Sequence, residues 1–323
     1  MFRLNFNARR LVLTVVTLFV LLCQISVRAE TELRIGYQKS STLFTLLKLQ
    51  GILEKNLAPQ GIKISWYEFS SGLPLLEALN TGNVDISADV ADTVPVFAQA
   101  AGADLTYFAR EEPSPNAQAI LVPQNSPLKT LSDLKGKRIA VTKAAGSHYL
   151  LIVALAKAHL TFKDITPAYL TPADGLAAFE TGQVDAWVTW EPFVASAQRQ
   201  QHARVLVEGQ GLANYQRYYL ASSAYTKQHP EILNLIYRQL EQTGVWIKAH
   251  PAEAAKLLGP LWGNMDVATV EQANGHRTYA VKPVTRDSLG EQQRIADAFF
   301  AAGLLPKAID ARAVAVWQPA ASK

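Results

Sequence analysis

Cysteine is almost missing from these 323 residues, with Cys23 the only one. Internal disulfides are thereby excluded, and a cysteine-built zinc site with them. The six histidines never stand three or four apart, so no helical metal pair is offered and no metal or other cofactor is expected. HExxH, GxSxG, GxxxxGK[ST] and GxGxxG are all absent; Gly209-Gln-Gly211 is only a fragment of the last. Paired acids such as Glu111-Glu112 read as solvated charge rather than as an acid–base couple. The chain therefore reads as a non-enzyme.

Long apolar runs are also scarce. The one present, at 11–23, follows Arg3, Arg9 and Arg10, and Val27-Arg28-Ala29 supplies the small residues a signal peptidase reads. It is short for a membrane span, so residues 1–29 read as a secretory signal peptide cleaved after Ala29. Bulky Leu22 argues against a lipoprotein anchor at Cys23, and the surroundings of Arg9-Arg10 argue against a twin-arginine signal. The leader holds four of the 31 basic residues and no acid, which leaves 27 basic residues against 27 acidic ones. Near-neutral charge gives no support to a nucleic-acid partner. Removing 29 of 323 residues leaves 294, enough for two domains in a soluble, exported monomer.

What the chain does contain is repetition. "ALNTGNVDIS" (78–87) and "AFETGQVDAW" (178–187) share A-x-x-T-G-x-V-D, one hundred residues apart. In each, Thr-Gly ends a helix, the glycine taking the left-handed conformation, and Val-Asp starts the next strand. Four stretches run from a β-rich segment through a small-residue loop into a helix: "LRIGYQK" through Ser40-Ser41, "IKISWYEF" through Ser70-Ser71-Gly72, "KRIAVTK" through Ala144–Ser147, and "PAYL" through Thr171-Pro172. Such alternation argues for βα units, a largely parallel sheet and a duplicated α/β lobe. "REEPSPNAQAILVPQNSP" (110–127) reads as the crossover between the lobes, and the chain returns near 214–225. Long helices from Pro230 to about Ala249 and from about Arg286 to Ala302 are expected to cover the first lobe. The domains so drawn are 30–115 and 218–323 for lobe one and 116–217 for lobe two. Two crossings make a hinge, and the ligand cleft would lie between the lobes.

Four capped helix N-termini converging on one cleft would bind an anion without a buried cation. Thr171 and Asp174 form a capping box around Pro172. Gln38 after Tyr37, His148 at a helix start and Arg217 in the returning crossover are further candidates, with a surface arginine the plainer reading for Arg217. Trp187 and Trp190 face opposite sides of a strand, one toward the core and the other, with Glu191, toward a cleft wall.

Together, "LRIGYQK", "KISWYEFSSG", "LLEALNTGNVDI", "VFAQAAGADLTYF", "PQNSPLKTLSDLKGKRIAV", "YLTPADGLAAFETGQVDAWVTWEP" and "WQP" resemble the periplasmic substrate-binding proteins of ABC importers for nitrate, sulfonates and taurine, above all the aliphatic-sulfonate binders. The resemblance implies an α/β, two-lobed periplasmic-binding-protein fold of type II that closes on an oxyanion and presents it to a membrane permease. It places the pocket at Gln38, Ser40, Ser41, Ser71, Gly72, Ser147, His148, Trp190 and Glu191. One stretch departs from the family pattern: Asp89, Asp92 and Thr93 replace a small, glycine-containing loop. An aspartate there would oppose a simple anion and suit a zwitterion. Taurine, nitrate and other small oxyanions remain alternatives. A thiamine-pyrimidine-related enzyme of the same fold would need clustered His and Cys that the mature chain lacks, and a receptor's sensing module is a third reading.

Overall fold

β-rich and apolar-periodic stretches alternate, and in the computed structural model, which describes residues 31–320, they build two separate sheets. The leader lies outside the described residues. The chain opens with β1 (Thr31–Gln38), α1 (Thr42–Gln50), α2 (Ile52–Leu57), β2 (Ile62–Phe69) and α3 (Gly72–Asn80). β3 (Ile86–Ala91), α4 (Thr93–Ala100) and β4 (Leu105–Glu111) follow. A crossing leads to β5 (Gln118–Val122), β6 (Arg138–Val141), α5 (Gly146–Lys157), β7 (Thr166–Tyr169) and α6 (Pro172–Glu180). β8 (Ala186–Trp190), α7 (Phe193–Gln200) and β9 (Arg204–Glu208) complete this second part. The chain then returns through β10 (Arg217–Ser222), α8 (Ser223–Gln228), α9 (Pro230–Ala249), α10 (Pro251–Leu258) and α11 (Val267–Gly275). It ends with β11 (Val281–Lys282), α12 (Gly290–Ala301) and β12 (Ala315–Val316).

The first sheet is ordered β11-β4-β10-β3-β1-β2, with β12 beside β4, and the second β7-β6-β8-β5-β9. β1 is parallel to β2 and β3, and β6 is parallel to β7 and β8. The returning β10 lies antiparallel between β3 and β4, and β5 antiparallel between β8 and β9. Both sheets are thus mixed rather than largely parallel, because the chain reverses where it crosses between the lobes. Helices therefore start at the carboxyl ends of the parallel strands, where open α/β sheets place their ligands.

The repeated phrase folds the same way twice. Gly82 and Gly182 take φ of 74° and 67° and close α3 and α6. Thr81 Oγ1 donates to Glu77 O at 2.9 Å, and Thr181 Oγ1 to Ala177 O at 2.8 Å. The main-chain N–H of Arg34 donates to Asp85 Oδ2, and that of Arg138 to Asp185 Oδ2, both at 2.8 Å. Each aspartate thus ties a helix exit to the neighbouring parallel strand. Trp187 packs in the core against Phe179, while Trp190 faces the crevice between the sheets.

Two elements differ from the sequence reading. The helix after Ser41 breaks at Gly51, whose φ of 61° ends α1 and restarts the chain as α2. α9 packs Leu233, Ile236 and Leu240 into the first-lobe core, but α12 does more than cover that lobe. Its Ile295 and Phe299 share one cluster with Val96 of α4 and Leu150 of α5, and Phe299 meets Phe97 edge-on at 4.9 Å. Burying one such phenylalanine is worth ~1.5–3 kcal/mol, so α12 pins both lobes at the back of the crevice.

Candidate functional site between the lobes

Strand ends from both sheets meet across the crevice. β1 ends at Gln38 and turns through Ser40-Ser41 into α1; β2 leads through Ser71 into α3. Opposite them, β6 leads through Lys143, Ala144 and Ala145 into α5, and β8 ends at Trp190. The two sides touch, because Thr93 Oγ1 donates to Ala144 O at 2.6 Å. This closeness dictates glycine at position 146. A Cβ there would stand 2.5 Å from the Tyr215 ring and 3.2 Å from Ala91 Cβ.

Two cavities occupy the crevice. The inner one, about 10 Å³, is bounded by Gln38, Ser71, Gly72, Lys143, Tyr215 and Arg217. That is the room of one water, so a larger head group enters only as the lobes part. The outer one, about 360 Å³, lies between Phe69 and Ser70 on one side and Thr171, Pro172 and Phe193 on the other. Gln38 and Trp190 line both. The arrangement sorts a compact polar head from an apolar tail.

Beside the inner cavity lies a buried ionic cluster. Arg217 Nε donates to Asp89 Oδ2, Nη1 to Tyr215 OH at 2.8 Å and Nη2 to Asp89 O at 3.3 Å. Arg277 Nη2 donates to Asp89 Oδ2 at 3.1 Å and to both Glu111 oxygens at 2.7 Å. Its Nη1 reaches Ser40 O at 3.1 Å, and Tyr219 OH donates to Glu111 Oε1 at 2.7 Å. All four charged side chains are 3% exposed or less. Burial opposes their charge, yet Asp89 beside Arg217 and Glu111 beside Arg277 hold both guanidinium groups above the ordinary arginine value. Removing one member would strand a buried charge, at ~3–5 kcal/mol.

Several expected residues reach the crevice. Gln38 Nε2 donates to Asp89 O at 3.1 Å. Ser71 makes no side-chain cap bond, which leaves its hydroxyl for a ligand, and Gly72 stands beside it. Ser40 and Thr171 line the outer cavity. Thr171 Oγ1 donates to Asp174 Oδ2 at 2.7 Å, while Asp174 lines neither cavity. Ser41 is occupied within its own turn, its hydroxyl accepting from Gln38 N at 3.1 Å. Ser147 is fully buried and its hydroxyl has no protein partner.

Elsewhere the placement departs from the sequence reading. Arg217 is no surface arginine: it is 2% exposed and lines the inner cavity. Asp89 does not oppose an anion with a bare charge, since two guanidinium groups share its Oδ2. Asp92 turns away and accepts from Gln216 N at 2.9 Å; burial pushes its carboxyl up to about 7. His148 packs among Phe162, Tyr169 and Phe299, with Nδ1 accepting from Ala144 N at 3.2 Å. Burial, helped by Lys143, lowers it to about 4, and it touches neither cavity. Glu191 is an internal tie between lobes, bonded to Ala195 N at 3.0 Å and to His276 Nδ1 at 2.6 Å. That bond holds His276 above the usual histidine value.

Sequence reasoning passed over Lys143, Tyr215, His276 and Arg277. Lys143 carried a signal, as the last residue of "KRIAVTK" before the loop into α5. His276 and Arg277 had none, because their partners are distant in sequence, and Tyr215 went unnoticed because its partner Arg217 was itself read as a surface residue.

The family model described as NMT1/THI5 like matches residues 57–254. An aliphatic sulfonates-binding protein of Escherichia coli (strain K12) is 41% identical over 288 residues, covering 89% of this chain and 89% of that one. The crystal structure of the periplasmic aliphatic sulphonate binding protein SsuA from Escherichia coli is similar with a TM-score of 0.81 at 40% identity, over 90% of this chain and 94% of that one. For the alkanesulfonate-binding protein SsuA from Xanthomonas axonopodis pv. citri bound to MOPS, the TM-score is 0.83 at 40% identity, over 90% and 100%.

Proposed function

The chain belongs to the NMT1/THI5-like family and stands among its aliphatic sulfonate-binding proteins, and from that membership we propose that it is a periplasmic solute-binding protein for alkanesulfonates. It captures the sulfonate between its lobes, 30–115 with 217–323 against 116–216, since Arg217 opens β10 of the first sheet, and delivers it to the permease of an ABC importer. It binds and does not catalyse. Export follows from the leader, and the mature chain would begin Glu30-Thr31-Glu32, which N-terminal sequencing checks.

The observation that carries this reading is the pairing of a small polar cavity with a larger, aromatic one along a single wall, Trp190. Arg217 has five N–H groups, and three bonds to Asp89 and Tyr215 leave two for a ligand. The Ser71 hydroxyl and the first N–H groups of α3 and α5 add uncharged donors. Hydrogen bonds to a charged group contribute ~1.5–3 kcal/mol each, so four or five reach the ~8 kcal/mol of micromolar affinity. Phe69, Trp190 and Phe193 then take the carbon tail. Nitrate would leave the outer cavity empty, and taurine would set its ammonium there near Glu68.

A thermal-shift screen of residues 30–323 against hexanesulfonate, ethanesulfonate, taurine, nitrate and sulfate tests the reading. The alkanesulfonates should raise the melting temperature most, with hexanesulfonate first. A larger shift with nitrate, or no shift with any sulfonate, would refute it.

A further inference from the structure

The charges around the inner cavity nearly cancel. Arg217 and Arg277 are matched by Asp89 and Glu111, and the exposed Lys143 is the remaining charge on the cavity wall. One surplus positive charge suits one negative ligand charge. A dianion would bring a second, unbalanced charge into a place where the cluster is 3% exposed or less. Charging energy grows with the square of the charge, so a dianion's desolvation costs about four times a monoanion's.

The repeat by itself does not call for a carboxylate at position 89; the two buried guanidinium groups that share its Oδ2 do. In the register of the hundred-residue repeat its counterpart is Thr189, equally buried in the matching strand β8 and uncharged. Asp89 does not line the inner cavity, so it acts on a ligand through Arg217 and through its charge rather than by contact. Its main-chain oxygen meanwhile holds Gln38 Nε2 and Arg217 Nη2 in place.

We propose that Asp89 sets the charge selectivity of the cleft, so that it admits monovalent sulfonates and rejects divalent oxyanions such as sulfate. The inference rests on the sulfonate-binding reading and names what distinguishes that ligand class from sulfate.

Calorimetry with ethanesulfonate and with sulfate at pH 6, where the Asp92 carboxyl largely keeps its proton and stays out of the charge count, tests it on the mature chain. The unaltered protein should bind ethanesulfonate more tightly by about a hundredfold, the scale of a misplaced like charge. Asp89→Asn keeps the shape and removes the charge, and should shrink that ratio by about tenfold or more, chiefly by gaining sulfate affinity. An unchanged ratio overturns the proposal, even if both affinities fall. Asp89→Thr, the residue buried at the matching position 189, carries the test should Asp89→Asn fail to fold, and the ratio should shrink by the same tenfold or more. An unchanged ratio there overturns the proposal as well. An unaltered chain that binds no sulfonate overturns the parent reading and this inference with it, whereas sulfonate binding with an unmoved ratio overturns this inference alone.

Discussion

Asp85 in the first lobe and Asp185 in the second each accept an arginine main-chain N–H at 2.8 Å, beside helices closed by Gly82 and Gly182. Four residues later the copies part. Asp89 lies at the centre of an ionic cluster drawn from β3, β4, β10 and the segment after α11, whereas Thr189 is buried with a hydroxyl that has no protein partner. On the cleft side the first lobe thus offers a guanidinium and the second a neutral helix start and a tryptophan. The shared corner is backbone stitching that eight residues can specify. The differing cleft depends on side chains brought from far along the chain.

The strongest way to break this contrast is Arg217→Ala against Ser147→Ala. The arginine variant should lose ~2–5 kcal/mol of sulfonate binding by calorimetry, since it removes the free N–H groups and strands part of Asp89. The serine variant should lose less, under ~1.5 kcal/mol, because Ser147 lines neither cavity and its hydroxyl does not meet the head group directly. The reverse order would move the head-group site to the second lobe.

The two lobes also carry opposing titrations. Asp92 at about 7 lies above its unfolded value of 3.8, so the folded chain keeps a proton that the unfolded chain has lost. Its contribution is fully present in acid and disappears as pH rises from about 4 to 7, an effect of ~4 kcal/mol. His148 at about 4 lies below 6.5, so the unfolded chain takes the proton first. Its contribution disappears as pH falls from about 6.5 to 4, by ~3 kcal/mol. The two nearly cancel. Asp92→Asn leaves His148 alone, and relative to the parent it should lose ~4 kcal/mol between pH 7 and pH 4 in denaturant melts. A constant offset from the parent across that range would show that Asp92 ionises like an exposed carboxylate.

Smaller effects sharpen the likeness of the lobes. Gly82→Ala and Gly182→Ala meet no neighbour within 4 Å, so only the left-handed φ opposes them, by about 1 kcal/mol each in melting experiments. Costs differing by more than that would mean the two corners are not equivalent. Arg34 also pairs its side chain with Asp85 at 2.7 Å, a link that Arg138 does not make to Asp185 among the described residues. That pair is partly exposed and adds under 1 kcal/mol.

Much of this was legible from short-range pattern. Strand–loop–helix order gave the parallel pairs of β1 and β6 with their neighbours but not the antiparallel β5 and β10, Thr-Gly gave the helix ends, and strand alternation separated Trp187 from Trp190. The ionic cluster was not legible, because Arg217 meets Asp89 across 128 positions and Arg277 meets Glu111 across 166. A lone arginine in a crossover looks like a solvated one until topology buries it. His148 misled for a related reason: a helix start gives proximity to the cleft, but the side chain follows the helix round to Phe299. Periodicity likewise showed that α12 has an apolar face without showing that α4 and α5 share it.

The division of labour between a first-lobe cation and a second-lobe tryptophan is tested most directly by chain length. Affinities of methane-, butane- and hexanesulfonate would be measured calorimetrically for the parent, Arg217→Ala and Trp190→Ala. Each buried methylene contributes ~0.8 kcal/mol where the aromatic wall is intact. Arg217→Ala should lower all three affinities by the same factor, while Trp190→Ala should cost little for methanesulfonate and ~1–3 kcal/mol for hexanesulfonate. A Trp190→Ala loss independent of chain length, or an Arg217→Ala loss that grows with it, would contradict the account.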